Sequence, residues 1–336
     1  MCQIQVLYKL KSNLNENDLE EFYKLMCYGS LHNNDAWGIF NSKFSMKKSG
    51  GFNKSLIKSD LKDKFIVGHN RLTTSGENLS NDGLGIVWNT APFPINYFTK
   101  KRQEQINHHP FILNDLVLVH NGIISNASSL RKEYNIKSRI QTDSYVILYL
   151  IDYYLNKNDK TDRTDKIINA IQRTTRRIDG SYSVILYDKK TMNLFYFKNF
   201  QTDFNFKITN DVLIGSTMEN NLDYVYFGSL KKPVEIRENH IYLINKTNIL
   251  KDLGEFKEKP LFFNRRQKSE IEKFFHKTLG YIPNYKFNKL GDILIKKDKE
   301  IIKKLNKYTD IIVGNKYIRI PVNNIEMKGG GWLGWF

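Results

Sequence analysis

Four short stretches within the first 145 residues carry side chains that could do chemistry together. The first is Cys2, which directly follows Met1. A small residue at position 2 allows methionine aminopeptidase to remove Met1, so that the mature chain would begin with Cys2 and a free α-amino group. That amine has a pKa of about 8 and could accept the thiol proton. The simpler interpretation is that position 2 holds a small residue buried in a strand.

The second and third clusters each follow a predicted buried strand. In GHNRLTTSG, residues 68–76, Arg71 could bind a carboxylate through two parallel hydrogen bonds, and the hydroxyls and turn amides that follow could complete an anion site. In HNG, residues 120–122, the Asn121 side chain and the Gly122 N–H could form an oxyanion hole. Each motif also has an ordinary interpretation, which is a surface ion pair for Arg71 and a plain Asn-Gly turn for HNG.

The fourth cluster is QTDSY, residues 141–145, at the start of a predicted helix. Asp143 could pair with the ammonium group of a ligand. Thr142 or Asp143 could equally be the N-cap of the helix, which is a common role for both residue types.

Together, the clusters supply a thiol, a base, an oxyanion hole, a cation for a carboxylate and an anion for an amine. A molecule that carries both a carboxylate and an amine is an α-amino acid. An amide carbon at its far end, open to attack by a thiolate, makes that amino acid glutamine. The residue types therefore predict a glutamine site.

Strands and helices must bring these clusters together. Alternating or continuous apolar residues predict strands at CQIQVLY, AWGIF, FIVGH, LVLVH, SYSVILYD, NLFYFKN, VLIGS, PVEIRE and HIYLINK. Apolar residues at helical spacing predict helices at 15–28, 125–134, 142–155 and 164–176. A β-rich, then helical, then β-rich order indicates helices that cover a face of a sheet sandwich.

We predict three regions along the chain. One domain spans 2–245, a linker spans 246–260, and a small basic α+β appendage of unidentified role spans 261–336. The appendage is predicted to contain helices near 267–277 and 297–307 and strands at DIIVG and YIRIP.

The composition restricts the compartment and the partners. The 336 residues include only two cysteines, Cys2 and Cys27, which excludes a disulfide framework and favours the cytoplasm. No apolar run approaches the roughly 20 residues that cross a bilayer, so no membrane partner is predicted. The net charge is +17, with 20 Lys and Arg against 10 Asp and Glu from residue 246 onward. A basic surface could bind nucleic acid, anionic lipid or an acidic protein, but no nucleic-acid-binding motif supports this, and a solvated lysine-rich surface explains the charge.

The blocks and their order resemble those of the class II glutamine amidotransferases, the glutaminase domains of the N-terminal nucleophile hydrolase superfamily. Members begin MCG or MCR, where this chain begins MCQ. Their blocks H-x-R-x-A-T-x-G, N-x-H-P-F, H-N-G-x-I and S/T-D-S/T-E correspond here to residues 69–76, 107–111, 120–124 and 142–145. DGSYSVILYD resembles a further strand of the family, and the likeness covers roughly residues 2–245.

The resemblance implies a four-layer αββα fold and a role for each catalytic position. Cys2 would attack the side-chain amide of glutamine, release ammonia and form a γ-glutamyl thioester, which water would hydrolyse to glutamate. Asn121 and Gly122 would hold the oxyanion. No metal or organic cofactor is implied.

The resemblance also implies roles in binding the substrate. Arg71 would bind the α-carboxylate of glutamine, with help from Thr74 and Ser75. Asp143 would bind the α-ammonium group.

The chain departs from the family pattern in several places. Thr73 stands where the family has Ala, and Tyr145 stands where it commonly has Glu. A stretch of 32 residues, 77–108, forms a long insert before the HPF block. The appendage is too short for the sugar isomerase, phosphoribosyltransferase or asparagine synthetase domains of fused members, and DAWG at 35–38 resembles the DGWG of stand-alone members.

The destination of any ammonia is therefore open. A separate protein could accept it, or the chain could be a free-standing hydrolase of glutamine or of a γ-glutamyl peptide. Two further alternatives are a retired copy of the fold that serves as a binding or structural module, and an acylase for another linear amide. The presence of all five residues of the predicted site favours an enzyme; they are Cys2, Arg71, Asn121, Gly122 and Asp143. The sequence does not predict an oligomeric state.

Overall fold

A computed structural model describes most of the chain up to Glu258. The described residues are 2–57, 60–72, 105–157, 162–199, 202–226, 232–247, 249–258 and 276, together with the backbone of four short strands beyond it. None of the helices in these ranges is long and apolar enough to cross a membrane.

Two antiparallel sheets form the centre of the fold. Sheet A has seven strands, which are, in spatial order, β11 (Lys232–Val234), β9 (Asn205–Ile208), β10 (Val212–Ser216), β1 (Gln3–Lys9), β4 (Phe65–Arg71), β2 (Ala36–Phe40) and β3 (Ser45–Ser49). Sheet B has six, which are β13 (Lys251–Glu255), β12 (His240–Ile244), β8 (Asn193–Lys198), β7 (Gly180–Asp188), β6 (Leu116–Ile124) and β5 (Phe111–Leu113). The functional motifs of the sequence lie at strand ends in both sheets.

Four α-helices accompany the sheets in the described residues. They are α1 (Glu16–His32), α2 (Ala127–Glu133), α3 (Asp143–Asn156) and α4 (Arg163–Thr175). Short 3-10 helices span Lys54–Leu56 and Glu219–Asp223. Asn15 caps α1 through a capping box with Asp18, which explains why that helix begins at Glu16.

Successive side chains along each strand point to opposite faces of its sheet, and the buried apolar side chains form three layers. In β1, Ile4 and Val6 pack against sheet B, while Leu7 packs against α1. In β6, Val117 joins the layer between the sheets, and Leu118 joins the layer under α3 and α4. The layers therefore stack in the order α1, sheet A, sheet B, then α3 with α4. This is the predicted αββα sandwich.

The predicted elements differ from the observed ones mainly at polar edges. Helix α1 continues to His32, four residues beyond its predicted end at 28. Strand β3 was not predicted, because SMKKS is an edge strand with polar, partly exposed residues. Strand β13 lies inside the predicted linker and pairs with β12, so sheet B continues into that segment. The division into three regions itself stays a prediction.

The C-terminal appendage is described only in part. The predicted strands DIIVG and YIRIP correspond to β16 (Asp310–Val313) and β17 (Lys316–Arg319), which pair antiparallel. A second hairpin joins β14 (Tyr285–Phe287) to β15 (Ile293–Ile295). The helices predicted near 267–277 and 297–307 lie outside the described residues, apart from His276.

A buried ion pair fixes α4 to the end of β7. The side chain of Asp188 is completely buried and accepts hydrogen bonds from Nε and Nη2 of Arg163 at 2.7–3.0 Å. Burial alone would raise the pKa of the Asp188 carboxyl group, but hydrogen bonds from Arg163 and Thr191 hold that pKa below its ordinary value. Removing the charge would leave the guanidinium without its partner at this contact.

We expect Asp188→Asn to lower the free energy of unfolding by about 3 kcal/mol, because it breaks a buried charged pair. The matched control is Asp115→Asn, which removes an exposed carboxylate 3.6 Å from the same guanidinium and should cost less than about 1 kcal/mol. Urea denaturation measures both. Since the folded pKa of Asp188 is the lower one, its contribution is fully present above the unfolded pKa of about 4 and is lost as pH falls through the folded value. Equal losses in the two variants would contradict this account.

Candidate active site

The beginning of β1 and the end of β4 meet at one edge of sheet A. Their antiparallel register pairs Gln3 with Asn70, so Cys2 lies next to the end of β4. The Sγ atom of Cys2 lies 3.5 Å from the carbonyl oxygen of Leu72. Burial raises the pKa of the Cys2 thiol above its ordinary value, and the positive charge of Arg71 opposes that shift. The thiol therefore stays protonated in neutral solution until a base removes its proton.

Arg71 is the last residue of β4 and is only 8% exposed. Its Nη1 donates a hydrogen bond to Nδ1 of His108 at 2.9 Å. Among the described residues no carboxylate forms an ion pair with this guanidinium, so a surface ion pair does not account for it. A buried cation without a partner carboxylate is suited to bind an anionic group of a ligand.

A hydrogen bond between the sheets links this edge to the corresponding end of β6. Nε2 of His69 in β4 donates to the carbonyl oxygen of His120 in β6 at 3.2 Å. Nδ1 of His120 in turn accepts from the hydroxyl of Ser144 in α3 at 2.9 Å. These two contacts bring three layers together beside Asn121.

Asn121 and Gly122 follow His120 in β6 and are not a hairpin turn. Asn121 is buried, and its Oδ1 has no hydrogen-bond partner among the described residues. Gly122 has a φ of +141°, and a Cβ atom there would lie 2.0 Å from the carbonyl oxygen of Ser181. The backbone thus requires glycine at position 122, and the buried Oδ1 of Asn121 is unpaired among the described residues.

Asp143 is the first residue of α3, with Thr142 at the N-cap position. Thr142 makes no capping hydrogen bond through its side chain. The carboxylate of Asp143 instead accepts from the N–H of Ser144 at 2.9 Å and from the N–H of Ile124 at 2.7 Å. These bonds fix α3 to the end of β6, and each oxygen keeps a lone pair for a cation.

Four histidines around these residues are buried and neutral. Burial lowers the pKa of His69 to about 3 and that of His108 to about 4, and it also lowers the pKa values of His109 and His120. Their hydrogen bonds agree with a neutral scaffold, since His69 and His120 each use one nitrogen to donate to a carbonyl oxygen. His69 and His120 therefore serve as hydrogen-bonded scaffold.

The structure brings most of the predicted site together. Cys2, Arg71, Asn121, Gly122 and Asp143 lie at adjoining strand and helix ends of the two sheets. Thr74 and Ser75 lie outside the described residues. Among the described residues no group of three or more His, Cys, Asp or Glu side chains is arranged to hold a metal ion.

Comparison with known proteins shows a likeness to glutamine amidotransferases over part of the chain. Residues 100–219 match the model of a glutamine amidotransferase domain family, and this range holds Asn121, Gly122 and Asp143 but neither Cys2 nor Arg71. In solved structures, glutamine phosphoribosylpyrophosphate amidotransferase from B. subtilis, complexed with ADP and GMP, has the same fold at 16% identity and a TM-score of 0.52. The alignment covers 76% of this chain and 49% of that one. The structure of the allosteric regulatory enzyme of purine biosynthesis aligns over the same shares of the two chains at 16% identity, with a TM-score of 0.54.

Residues 100–219 are thus similar to a glutamine amidotransferase domain.

Curated relatives place the amidotransferase domain inside longer proteins. Glutamine–fructose-6-phosphate aminotransferase (isomerizing) of Aliivibrio fischeri is 30% identical over 108 residues, which are 31% of this chain and 17% of the relative. 7-Cyano-7-deazaguanine synthase 2 of Sulfurisphaera tokodaii is 31% identical over 150 residues, which are 43% of this chain and 30% of the relative. The amidotransferase chain therefore spans under a third of the length of these relatives. The likeness supports the family and leaves the acceptor of ammonia open.

Two residues beside the candidate site, His108 and Lys47, are not among the site residues that the sequence predicts. Their contacts with Arg71 and with residues 106–110 join segments far apart in the chain. No local pattern in the sequence signals such contacts.

We expect Gly122→Ala to lower the free energy of unfolding by more than about 3 kcal/mol, because the new methyl group overlaps the backbone of β7 at a positive φ. The matched control is Gly254→Ala, since Gly254 also has a positive φ, +105°, but has no atom within 4 Å of the added Cβ. That control should cost only about 1 kcal/mol. Urea denaturation compares them, and equal costs would show that the overlap with Ser181 is not decisive.

Proposed function

We propose that the chain hydrolyses the side-chain amide of glutamine to glutamate and ammonia through a thioester on Cys2. The observation that carries the proposal is that a thiol, a buried cation and a buried amide meet at one end of the sandwich. The Cys2 thiol lies beside the buried cation Arg71, and the 3.2 Å hydrogen bond from His69 to His120 links them to Asn121. The family match supports the coarser activity, which is the hydrolysis of glutamine with transfer of ammonia.

The first half of the proposed reaction forms the thioester. Removal of Met1 frees the α-amino group of Cys2, which takes the thiol proton directly or through a water molecule. The thiolate attacks the amide carbon, and the resulting oxyanion is held by the Asn121 side chain and the Gly122 N–H. The C–N bond then breaks, the leaving nitrogen takes the proton, and ammonia departs.

The second half releases glutamate. The same α-amino group takes a proton from water, and the hydroxide that results attacks the thioester carbon. The oxyanion hole holds the second tetrahedral intermediate, which breaks the C–S bond and returns the proton to the sulfur. No group from outside the chain is needed for this cycle.

The polar residues around the thiol bind the other end of glutamine in this proposal. The guanidinium of Arg71 binds the α-carboxylate through two hydrogen bonds, and the carboxylate of Asp143 binds the α-ammonium group. Thr74 and Ser75 assist at the α-carboxylate, a role that rests on the resemblance of their sequence block alone. The two charged groups together select a free α-amino acid over other linear amides.

The acceptor of the ammonia stays open in this proposal. The relatives named above combine a similar domain with further sequence, and their names denote reactions that use glutamine or belong to synthases. The cytoplasmic location and the absence of a cofactor stay predictions.

We expect Cys2→Ala to abolish the release of glutamate from L-glutamine while the protein stays folded, because the nucleophile is lost and the methyl group fits the same space. The assay uses protein without an N-terminal tag, and intact mass on the same sample reports whether Met1 has been removed. The matched control is Cys27→Ala, which removes the other, exposed thiol and should leave the rate unchanged. Activity retained in Cys2→Ala would exclude the thioester mechanism. An inactive parent protein that has lost Met1 would point to a γ-glutamyl peptide or to a retired site.

We expect Arg71→Lys to raise the KM for glutamine about ten-fold or more with a smaller effect on kcat. A lysine keeps the charge but loses the planar pair of donors, which costs about 1.4 kcal/mol or more of binding. Steady-state kinetics of glutamate release measure both constants. An unchanged KM would remove Arg71 from the carboxylate site.

A further inference from the structure

Residues 105–110 are held against the edge of sheet A by Lys47. The Nζ atom of Lys47 in β3 donates hydrogen bonds to the carbonyl oxygens of Ile106, His108 and Pro110 at 3.3, 3.0 and 3.4 Å. In return, Nε2 of Gln105 donates to the carbonyl oxygen of Lys47 at 3.0 Å. Four hydrogen bonds therefore fix the path of this segment relative to β3.

Strand β2, which neighbours β3 in sheet A, also restricts the position of residues 105–110. A Cβ atom at Gly38 would lie 1.9 Å from the carbonyl oxygen of His109, so the segment lies directly on the strand backbone. The ring of His109 also packs against that of His69, with 3.9 Å between centroids. The position of His108 is thus set by the backbone on which it sits.

Both ring nitrogens of His108 have partners. Nδ1 accepts from Nη1 of Arg71 at 2.9 Å, and Nε2 lies 3.0 Å from the hydroxyl of Ser49 in β3. Because an arginine only donates, Nδ1 must carry a lone pair and Nε2 must carry the proton that it donates to Ser49. Burial lowers the pKa of His108 to about 4, with the charges of Arg71 and Lys47 acting in the same direction. The ring is therefore neutral and can accept from a cation.

This contact uses only one of the five N–H groups of Arg71. A long arginine side chain loses much rotamer freedom when it is fixed, and that loss otherwise falls on the binding of the ligand. His108 is 5% exposed and approaches the guanidinium from the side of β3. It can hold the group in one orientation, and among the described residues no other side chain accepts from the remaining N–H groups of Arg71.

We propose that His108 is a positioning residue that pre-orients Arg71 for the α-carboxylate of the substrate, with Ser49 and Lys47 fixing His108 in turn. The inference rests on the proposed function and deepens it. It explains the recognition of the free α-carboxylate by contacts that lead from the edge strand β3 through His108 to Arg71. His108 touches neither the substrate nor the reacting atoms in this account. Its effect should therefore fall on KM and on selectivity.

The test measures steady-state release of ammonia from L-glutamine and from its α-amide, which lacks the carboxylate. In His108→Ala we expect the KM for L-glutamine to rise about ten-fold, with kcat within about two-fold, because one hydrogen bond to a charged group is lost. The KM for the α-amide should change by less than about two-fold, because that substrate does not use Arg71. His108→Asn should recover most of the KM for L-glutamine, since its Oδ1 can take the place of Nδ1. An exposed matched control is His32→Ala, which should change neither constant.

The outcomes separate the two proposals. Absence of turnover in the parent protein overturns the proposed function and the positioning role together. An active parent protein with equal KM increases for both substrates in His108→Ala overturns only the positioning role. If His108→Ala does not fold, Ser49→Ala and His108→Asn decide. Ser49→Ala should then raise the KM for L-glutamine alone by about two- to three-fold, and equal effects on both substrates in these variants would overturn the positioning role.

Discussion

The antiparallel register between β1 and β4 is the constraint on which the arrangement of the site depends. Pairing Gln3 with Asn70 puts the residue before β1 next to the residues that end β4. A shift of one residue would turn Ile4 and Val6 out of the layer between the sheets, so the apolar pattern of β1 protects the register. The same apolar contacts that stabilise the sandwich therefore bring the thiol of Cys2 to Arg71, although the two residues are 69 positions apart in the chain.

Buried polar groups connect sheet B to this edge of sheet A. His69, His120 and Ser144 form a chain of hydrogen bonds across three layers in which every member is buried. Buried imidazoles are tolerable there because they stay neutral and because carbonyl and hydroxyl groups meet Nε2 of His69 and both nitrogens of His120, while Nδ1 of His69 has no partner among the described residues. These hydrogen bonds fix the spacing between the two sheets beside Asn121.

The sequence predicted the elements whose local apolar pattern identifies them. Runs such as FIVGH and LVLVH are buried on both faces, and their composition alone indicates central strands. Through the resemblance to a family, the order of motifs predicted that Cys2, Arg71 and Asn121 lie at strand ends and that Asp143 lies at the start of a helix. Strand β3 was missed because its residues alternate little and face solvent, and β13 was missed because KDLGE reads as a polar linker. The contact of His108 with Arg71 was missed for a different reason, since it depends on how the segment before β5 lies on Gly38, a matter of backbone shape that no composition records.

Strands β6 and β7 carry the buried ion pair at one end and the candidate site at the other. Leu116 pairs with Asp188, and Gly122 pairs with Tyr182, six positions along the same ladder. At about 3.4 Å per residue the two ends are about 20 Å apart. Substitutions so far apart act independently in most proteins. Stabilising substitutions near α4 could therefore make the protein more resistant to heat. Substitutions at the other end could change substrate selectivity, and the two sets should affect each other little.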